Sequence, residues 1–124
     1  MLRWLKKFKI GAVRDGSSEQ IAVKKGKVPL DQMERLSTFE SAVLMLANGR
    51  IDLYASSMEN IRIYSKRLNL DADQFENVFS LDKAFLCFAF NPDTADELVD
   101  AFQKALDSMK QDGTYDRLYN MYFD

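Results

Sequence analysis

The sequence predicts an α/β fold with a central, mostly parallel sheet flanked by helices. Two observations carry that prediction. Short segments of strand length alternate with longer segments whose apolar residues recur at helical spacing. Residues 33–55 also read as a strand–helix–strand unit, and strands joined in this way lie parallel. At 124 residues the chain fits one domain that is large enough for a hydrophobic core.

The first half of the chain supplies three predicted strands and two helices between them. The strands are predicted at residues 9–13, 33–36 and 51–55. A helix over residues 18–25 follows the first strand. The next helix, in the segment STFESAVLMLANGR, has clear end signals, because Ser37 or Thr38 can cap its start and Asn48–Gly49 can end it.

The second half of the chain begins with a predicted helix over residues 58–68 and a polar loop. Two further strands are predicted at residues 76–81 and 84–90. A long helix begins near Thr94 and ends at Gly113, and a short helix over residues 115–123 follows it.

Composition argues against several classes of function. Seventeen Lys and Arg residues against 19 Asp and Glu give a net charge of −2, and the basic residues are spread along the chain, unlike a nucleic-acid-binding surface. No apolar run approaches the roughly 18 residues that span a bilayer. The opening segment MLRWLKKFKIGAV lacks the apolar stretch and cleavage site of a signal peptide. Histidine, the commonest general base and zinc ligand, does not occur.

The remaining reactive groups have structural explanations. Cys87 is the one cysteine and lies in the apolar run AFLCFAF, so we expect a small buried hydrophobic residue. The carboxylate pairs Asp71/Asp73 and Asp96/Glu97 lie in a polar loop and in the first turn of a helix, where solvation and the helix dipole account for them. The aromatic tail GTYDRLYNMYFD is predicted to be a packing face. We therefore predict no catalytic residue, no metal site and no cofactor.

Polar residues follow the first predicted strand, in the segment VRDGSSEQ. Ligands of open α/β sheets bind beyond the carboxyl ends of the strands. Gly16 permits a tight turn, Ser17 and Ser18 present hydroxyls and amides, and Arg14 can bind a carboxylate with its planar guanidinium. The spacing leaves two interpretations open: the serines cap a helix, or they bind an anion together with the free amides.

A second polar loop, ASSMEN, follows the third predicted strand at the same edge of the sheet. Ser56 and Ser57 offer neutral donors and acceptors there. Serines at a strand-to-helix junction are commonly caps, so this loop is the weaker of the two candidates.

Three segments in order resemble the second half of the bacterial extracellular solute-binding proteins of the polar amino-acid type. They are KIGAVRDGSSEQ, STFESAVLMLANGRIDLYASS and FLCFAFNPDTADELVDAFQKALDSMKQDGTYDRLYNMYF. Within them, LANGRIDLY looks like the family's helix end and strand, and ALDSMKQDGTYDRLYNMYF looks like its closing helices. The resemblance covers nearly the whole chain.

The resemblance implies a non-catalytic, periplasmic protein whose two lobes close on a small solute and deliver it to a membrane permease or signal to a sensor. It implies that Gly16, Ser17 and Ser18 hold the solute's carboxylate and that Arg14 touches its side chain. Typical members carry an aspartate for the ligand's ammonium where this chain has Ser57. That difference favours a polar or anionic solute without an amino group, or a sensor or interaction domain that binds no solute. The predicted ligand-binding residues are Arg14, Gly16, Ser17, Ser18, Ser56 and Ser57.

The resemblance also implies a domain organisation. Residues 1–124 correspond to a single lobe, with residues 1–90 as its core and residues 91–124 as closing helices that pack on a first lobe in the family. No segment of this sequence matches that first lobe, so the chain looks like a fragment or a truncated product. Because the closing helices keep an apolar stripe, we expect a homodimer to cover it.

Overall fold

Three short strands form the sheet that positions the candidate site. The computed structural model describes residues 3–83 and 85–124. Its strands are β1 (Ile10–Val13), β2 (Met33–Leu36) and β3 (Leu53–Tyr54). All three run parallel in the order β2-β1-β3. The predicted strand–helix–strand unit therefore has parallel strands as expected, but β1 lies between them.

Helices cover both faces of this sheet, which confirms the predicted α/β class. Helix α1 (Ser17–Lys24) connects β1 to β2, and helix α2 (Phe39–Ala47) connects β2 to β3. Right-handed connections that move in opposite directions along a sheet leave their helices on opposite faces. Two clusters of buried residues match this arrangement. One holds Leu5, Ile10, Ala12, Ala22, Val28 and Met33, and the other holds Leu36, Ala42 and Ile51.

Gly11 in β1 allows the second cluster to form close to the sheet. A Cβ atom added at Gly11 would lie 2.6 Å from the Cδ1 atom of Ile51. Ile51 is 1% exposed and is among the largest fully buried side chains. The absence of a side chain at Gly11 thus lets Ile51 pack directly on the β1 backbone.

The ends of α2 are the ones that the sequence predicts. The Thr38 Oγ1 atom accepts a hydrogen bond of 3.1 Å from the Ser41 amide. At the other end Gly49 has a φ of 66°, and the Arg50 amide donates to the Met45 carbonyl over 2.8 Å. These bonds form a Schellman motif, in which a left-handed glycine ends a helix.

Helix α3 (Met58–Arg67) completes the regular structure of this part of the chain. Leu68 is its C-cap, and the following residue, Asn69, adopts a φ of 54°. Short 3₁₀ turns occur at Arg3–Lys7, Leu30–Gln32 and Ala72–Gln74.

The predictions of strands at residues 76–81 and 84–90 are wrong for the residues that the structure describes. No strand occurs between residue 75 and residue 83 or between residue 85 and residue 95, and Ala84 lies outside the described residues. A strand needs a neighbouring strand for its backbone groups, and these stretches have none among the described residues. The expectation of a buried Cys87 fails for the same reason, since its thiol is exposed on an unpaired stretch.

The chain divides into two compact units, Met1–Lys83 and Ala84–Asp124. The second unit contains α4 (Asp96–Gln111) and α5 (Thr114–Phe123), which contact each other. Between them Gly113 has a φ of 81°. The Phe102 ring meets the Phe90 ring edge-on at 5.3 Å between centroids. Leu98 and Phe102 of this unit are nevertheless about half exposed, at 50% and 48%.

Candidate functional site

A tight turn joins β1 to α1. The Gly16 amide donates to the Val13 carbonyl over 3.1 Å, and Asp15, inside the turn, has a φ of 60°. A Cβ at Gly16 would lie 3.0 Å from the Val13 oxygen, so the turn favours glycine there. The turn directs the chain straight into the first residue of α1, Ser17.

The two serines are the first and second residues of α1, and neither is its N-cap. Gly16 occupies the cap position, and no side chain in the described part of the chain makes a cap hydrogen bond there. This position argues against the interpretation in which the serine hydroxyls cap the helix. The first bond within the helix runs from the Gln20 amide to the Gly16 carbonyl, over 3.2 Å.

Free backbone amides therefore lie at the start of α1. Among the described residues, the amides of Ser17, Ser18 and Glu19 have no hydrogen-bond acceptor. Ser17 is exposed and Ser18 is partly exposed. Unpaired amides and the positive end of the helix dipole attract anions, so this helix start can receive a carboxylate, phosphate or sulfate group.

A cluster of charged side chains lies beside the turn. Arg35 of β2 donates from Nε to the Glu19 Oε2 atom over 2.7 Å and from Nη2 to the Glu19 Oε1 atom over 3.0 Å. The same Nη2 reaches the Asp15 Oδ1 atom at 2.9 Å. The Asp15 amide donates to Glu19 Oε1 over 3.0 Å. Asp15, Glu19 and Arg35 thus form one network, which we call the turn network.

The turn network changes the acidity of its members. The hydrogen bond from Arg35 lowers the pKa of Glu19, helped by the Asp15 amide, although burial of the carboxyl acts in the opposite direction. The Glu19 hydrogen bond in turn raises the pKa of Arg35. Both groups are therefore charged at neutral pH.

Sequence reasoning missed this network. Glu19 is the third residue of α1, where an acidic side chain can reach back to the amides that precede a helix. This position in the sequence was a local signal that Glu19 could accept a hydrogen bond from the turn. The choice of Arg35 as its partner depends on the pairing of β2 with β1, which places Arg35 opposite Ala12.

Arg14 lies at the start of the same turn. Its amide donates to the Leu36 carbonyl over 2.8 Å, which extends the pairing of β1 with β2. Its side chain is exposed and makes no ion pair with any described residue. Arg14 therefore has a guanidinium available to solution at this edge.

The second polar loop follows β3. The Ala55 amide donates to the Gly11 carbonyl over 2.9 Å, so the chain still runs beside β1 as it leaves the strand. Ser57 is the N-cap of α3, and its Oγ atom accepts from the Asn60 amide over 3.2 Å. The expectation that serines at such a junction act as caps holds for Ser57.

Ser56 has a different environment. Its Oγ atom is buried and has no hydrogen-bond partner among the described residues. Burial raises the pKa of the nearby Tyr54 phenol, and the Ser56 hydroxyl, close to the phenol but outside hydrogen-bonding geometry, opposes part of that rise. The Ser56 hydroxyl is thus buried although the residue itself is partly exposed, whereas Ser57 is exposed.

Sheet topology brings the two loops to one edge. The chain leaves β1 toward β2 on one side and returns to β3 on the other. This is a topological switch point, and the crevice beyond the carboxyl ends of such strands is where open α/β sheets bind ligands. The six predicted ligand-binding residues lie in these two loops and in the first turn of α1, namely Arg14, Gly16, Ser17, Ser18, Ser56 and Ser57.

The comparison with known protein families decides the class of protein. The family described as bacterial extracellular solute-binding proteins, family 3, matches residues 17–124. The chain belongs to this family. No curated protein and no solved structure matches the chain.

Membership in solute-binding family 3 confirms the resemblance at the level of the solute-binding family. It assigns the chain a solute-binding role and an extracellular class of protein, a class that is generally not enzymatic. The matched residues include α1 with Ser17 and Ser18 and the loop with Ser56 and Ser57. The carboxylates and Cys87 form no group suited to a metal ion within the described residues. None of the described helices combines the length and the apolar character that a membrane span requires.

Proposed function

We propose that this family 3 protein binds a small polar or anionic solute, without catalysis, as the substrate-binding component of an ABC-type uptake system in the bacterial periplasm. The observation that carries the proposal is the set of unpaired amides at Ser17 and Ser18. They lie at the start of a helix, at a topological switch point, and none of the described side chains caps them. Arg14 adds an exposed cation to the same turn.

The identity of residue 57 supports a solute without an ammonium group. Typical members that the sequence resembles have an aspartate at this position, and Ser57 supplies a neutral hydroxyl whose oxygen is already occupied by the Asn60 amide. An ammonium group placed here would lack a charge-assisted hydrogen bond worth about 1.5–3 kcal/mol. A simple carboxylate or another small anion has no such requirement.

The exposure of the site supports binding between two lobes. Ser17 and Arg14 are exposed, and tight binding of small molecules usually requires that most of the ligand surface is covered. We therefore propose that the solute is held in a cleft between this lobe and a second one, and that the complex docks on a membrane permease. The alternative function, a sensor or interaction domain that binds no solute, is supported by the serine at residue 57 in place of the aspartate that typical members carry for the ligand's ammonium.

We also propose a homodimer through the second unit. The exposed face of α4 carries Leu98 and Phe102, and an apolar surface of this kind is commonly covered in solution. The charges of α4 are arranged for antiparallel pairing with a second copy. Three acidic residues, Asp96, Glu97 and Asp100, lie in its amino-terminal half, and its carboxyl-terminal half has two lysines, Lys104 and Lys110, against one acidic residue, Asp107.

A proline substitution tests the solute-binding proposal directly. Ser17 is the first residue of α1, where proline fits a helix but has no amide hydrogen to donate. Gly16 has φ −78° and ψ 160°, which is compatible with a following proline. We expect Ser17→Pro to lose affinity for acetate and sulfate, measured by NMR titration of the Ser18 amide. Ser17→Ala, which keeps the amide and lacks only the hydroxyl, should bind as the wild type does.

A ligand panel separates the two candidate functions. Thermal shifts with amino acids, dicarboxylates and inorganic anions should show stabilisation by anions that lack an amino group. A folded protein that no member of the panel stabilises, and whose Ser18 amide does not respond to acetate or sulfate, would support the sensor or interaction domain.

A further inference from the structure

We propose that Arg35 is a positioning residue for the anion site: it holds the β1–α1 turn in the binding conformation and neutralises the carboxylates beside it, without touching the solute. This inference rests on the proposed function. It concerns the turn network, in which Arg35 reaches two carboxylates and one of these holds the backbone of the turn.

The geometry shows how Arg35 acts on the turn. Its two bonds to Glu19, of 2.7 and 3.0 Å, form a bidentate pair that fixes the orientation of the carboxylate. The Glu19 Oε1 atom then accepts the Asp15 amide at 3.0 Å. Asp15 has a φ of 60°, a left-handed conformation that costs free energy for a residue other than glycine and that the bond to Glu19 helps to hold.

Charge gives Arg35 a second effect. Without it, two carboxylates, those of Asp15 and Glu19, would lie next to the unpaired amides and repel any anion that approaches. Arg35 pairs with both, at 2.9 Å to Asp15 and 2.7 Å to Glu19. The charges of Arg14, Arg35, Asp15 and Glu19 then cancel, which leaves the positive helix end as the dominant feature.

Burial explains why a neutral side chain cannot replace Arg35. The Glu19 side chain is 5% exposed, whereas that of Asp15 is 84% exposed. A buried carboxylate without a partner becomes protonated or moves toward water. Either change weakens the Glu19 carboxylate as the acceptor of the Asp15 amide. The turn that leads into Ser17 and Ser18 then loses this hydrogen bond.

The test compares two arginine variants of the full chain at neutral pH. Arg35→Met removes the turn network's cation. Arg67→Met is the matched control, because Arg67 also pairs with a glutamate of its own unit, Glu40, at 3.7 Å, and among the described residues this pair makes no bond to the turn network. We expect Arg35→Met to bind sulfate on the order of tenfold more weakly than the wild type, by titration of the Ser17 and Ser18 amide signals. Its Asp15 amide should also exchange with solvent faster, whereas Arg67→Met should change neither quantity.

A second variant covers the case in which Arg35→Met does not fold. Arg35→Lys keeps the charge but lacks the planar fork. It should retain part of the sulfate affinity and still show faster exchange of the Asp15 amide. A merely structural role would lower the stability and leave the sulfate affinity of the folded variant unchanged.

The outcomes separate the two proposals. Sulfate binding by the wild type with equal affinity in folded Arg35→Met and Arg35→Lys overturns the role of Arg35 and leaves the anion site in place. No response of the Ser17 and Ser18 amides in the wild type overturns the proposed function, and the role of Arg35 with it.

Discussion

The Arg35 guanidinium holds the Glu19 carboxylate through two hydrogen bonds, of 2.7 and 3.0 Å, across sixteen residues of sequence. The pair connects the second strand to the first helix at the edge where the candidate anion site lies. Glu19 is buried and Arg35 is partly exposed, so the pair is shielded from solvent on the carboxylate side. Shielded, bidentate pairs are more sensitive to loss of one partner than exposed ones.

The first prediction concerns acid stability. Because the Arg35 hydrogen bond holds the pKa of Glu19 below its unfolded-state value, the carboxylate stabilises the fold at pH values above that unfolded-state pKa. This stabilisation is lost as the pH falls through the lower pKa of the folded state. We expect Glu19→Gln to be less stable than the wild type at pH 7 and to differ less from it in acid.

Chemical denaturation between pH 3 and pH 7 measures this difference in the free energy of unfolding. Glu34→Gln is a suitable control, because Glu34 is an exposed residue in the same strand as Arg35. A Glu19→Gln variant whose deficit stays constant down to pH 3 would show that the Arg35 pair does not set the acid response.

The second prediction concerns packing between Gly11 and Ile51. Gly11→Ala would place a methyl group 2.6 Å from the Ile51 Cδ1 atom and should destabilise the fold by about 1–3 kcal/mol. Ile51→Val deletes that Cδ1 atom and should cost about 1 kcal/mol by itself. The double variant should be more stable than the sum of the two losses predicts, since the valine makes room for the methyl. Additive losses in denaturant unfolding would mean that the clash is relieved by movement elsewhere.

The third prediction concerns the charge at residue 57. Aspartate and asparagine cap helices about as well as serine does, so neither Ser57→Asp nor Ser57→Asn should unfold α3. Only the aspartate adds a charge at the edge of the sheet. We expect Ser57→Asp to raise the affinity for glycine, an amino acid with a free ammonium, on the order of tenfold or more relative to Ser57→Asn. Calorimetric titration measures this ratio. Equal glycine affinities would place residue 57 outside the solute's reach.

Local chemistry explains which parts of the fold the sequence predicts. The ends of α2 depend on residues three to five positions apart, such as Thr38 with Ser41, and these were predicted from the sequence. Strands over residues 76–81 and 84–90 depend on a distant neighbour, which apolar character does not reveal. The order of the sheet, with β1 in the middle, is likewise a non-local property.

The candidate site also has features that the sequence predicts and features that depend on distant contacts. The loops that hold Ser17, Ser18 and Ser57 follow from the order of strands and helices along the chain. The partner of Glu19 does not, because Arg35 reaches it only through the register between β1 and β2. The sequence also does not predict that Gly16, and not a serine, is the N-cap of α1. Serine is among the best N-cap residues, so Ser17 and Ser18 were the better candidates by residue type.

The last prediction concerns the second unit and its pairing with a second copy. Leu98 is 50% exposed on α4, and burial of a fully exposed leucine side chain is worth about 1.5–3 kcal/mol, so covering its exposed half contributes about half of that. In an antiparallel pair of α4 helices each copy would bury Leu98, and the acidic half of one helix would face Lys104 and Lys110 of the other. We expect light scattering at micromolar concentration to report a dimer for the wild type and a monomer for Leu98→Ser. The control Asn120→Ser, at an exposed polar position of α5, should remain dimeric. A wild-type monomer across this concentration range would contradict the pairing. It would show that covering the apolar face of α4 does not stabilise a dimer at these concentrations.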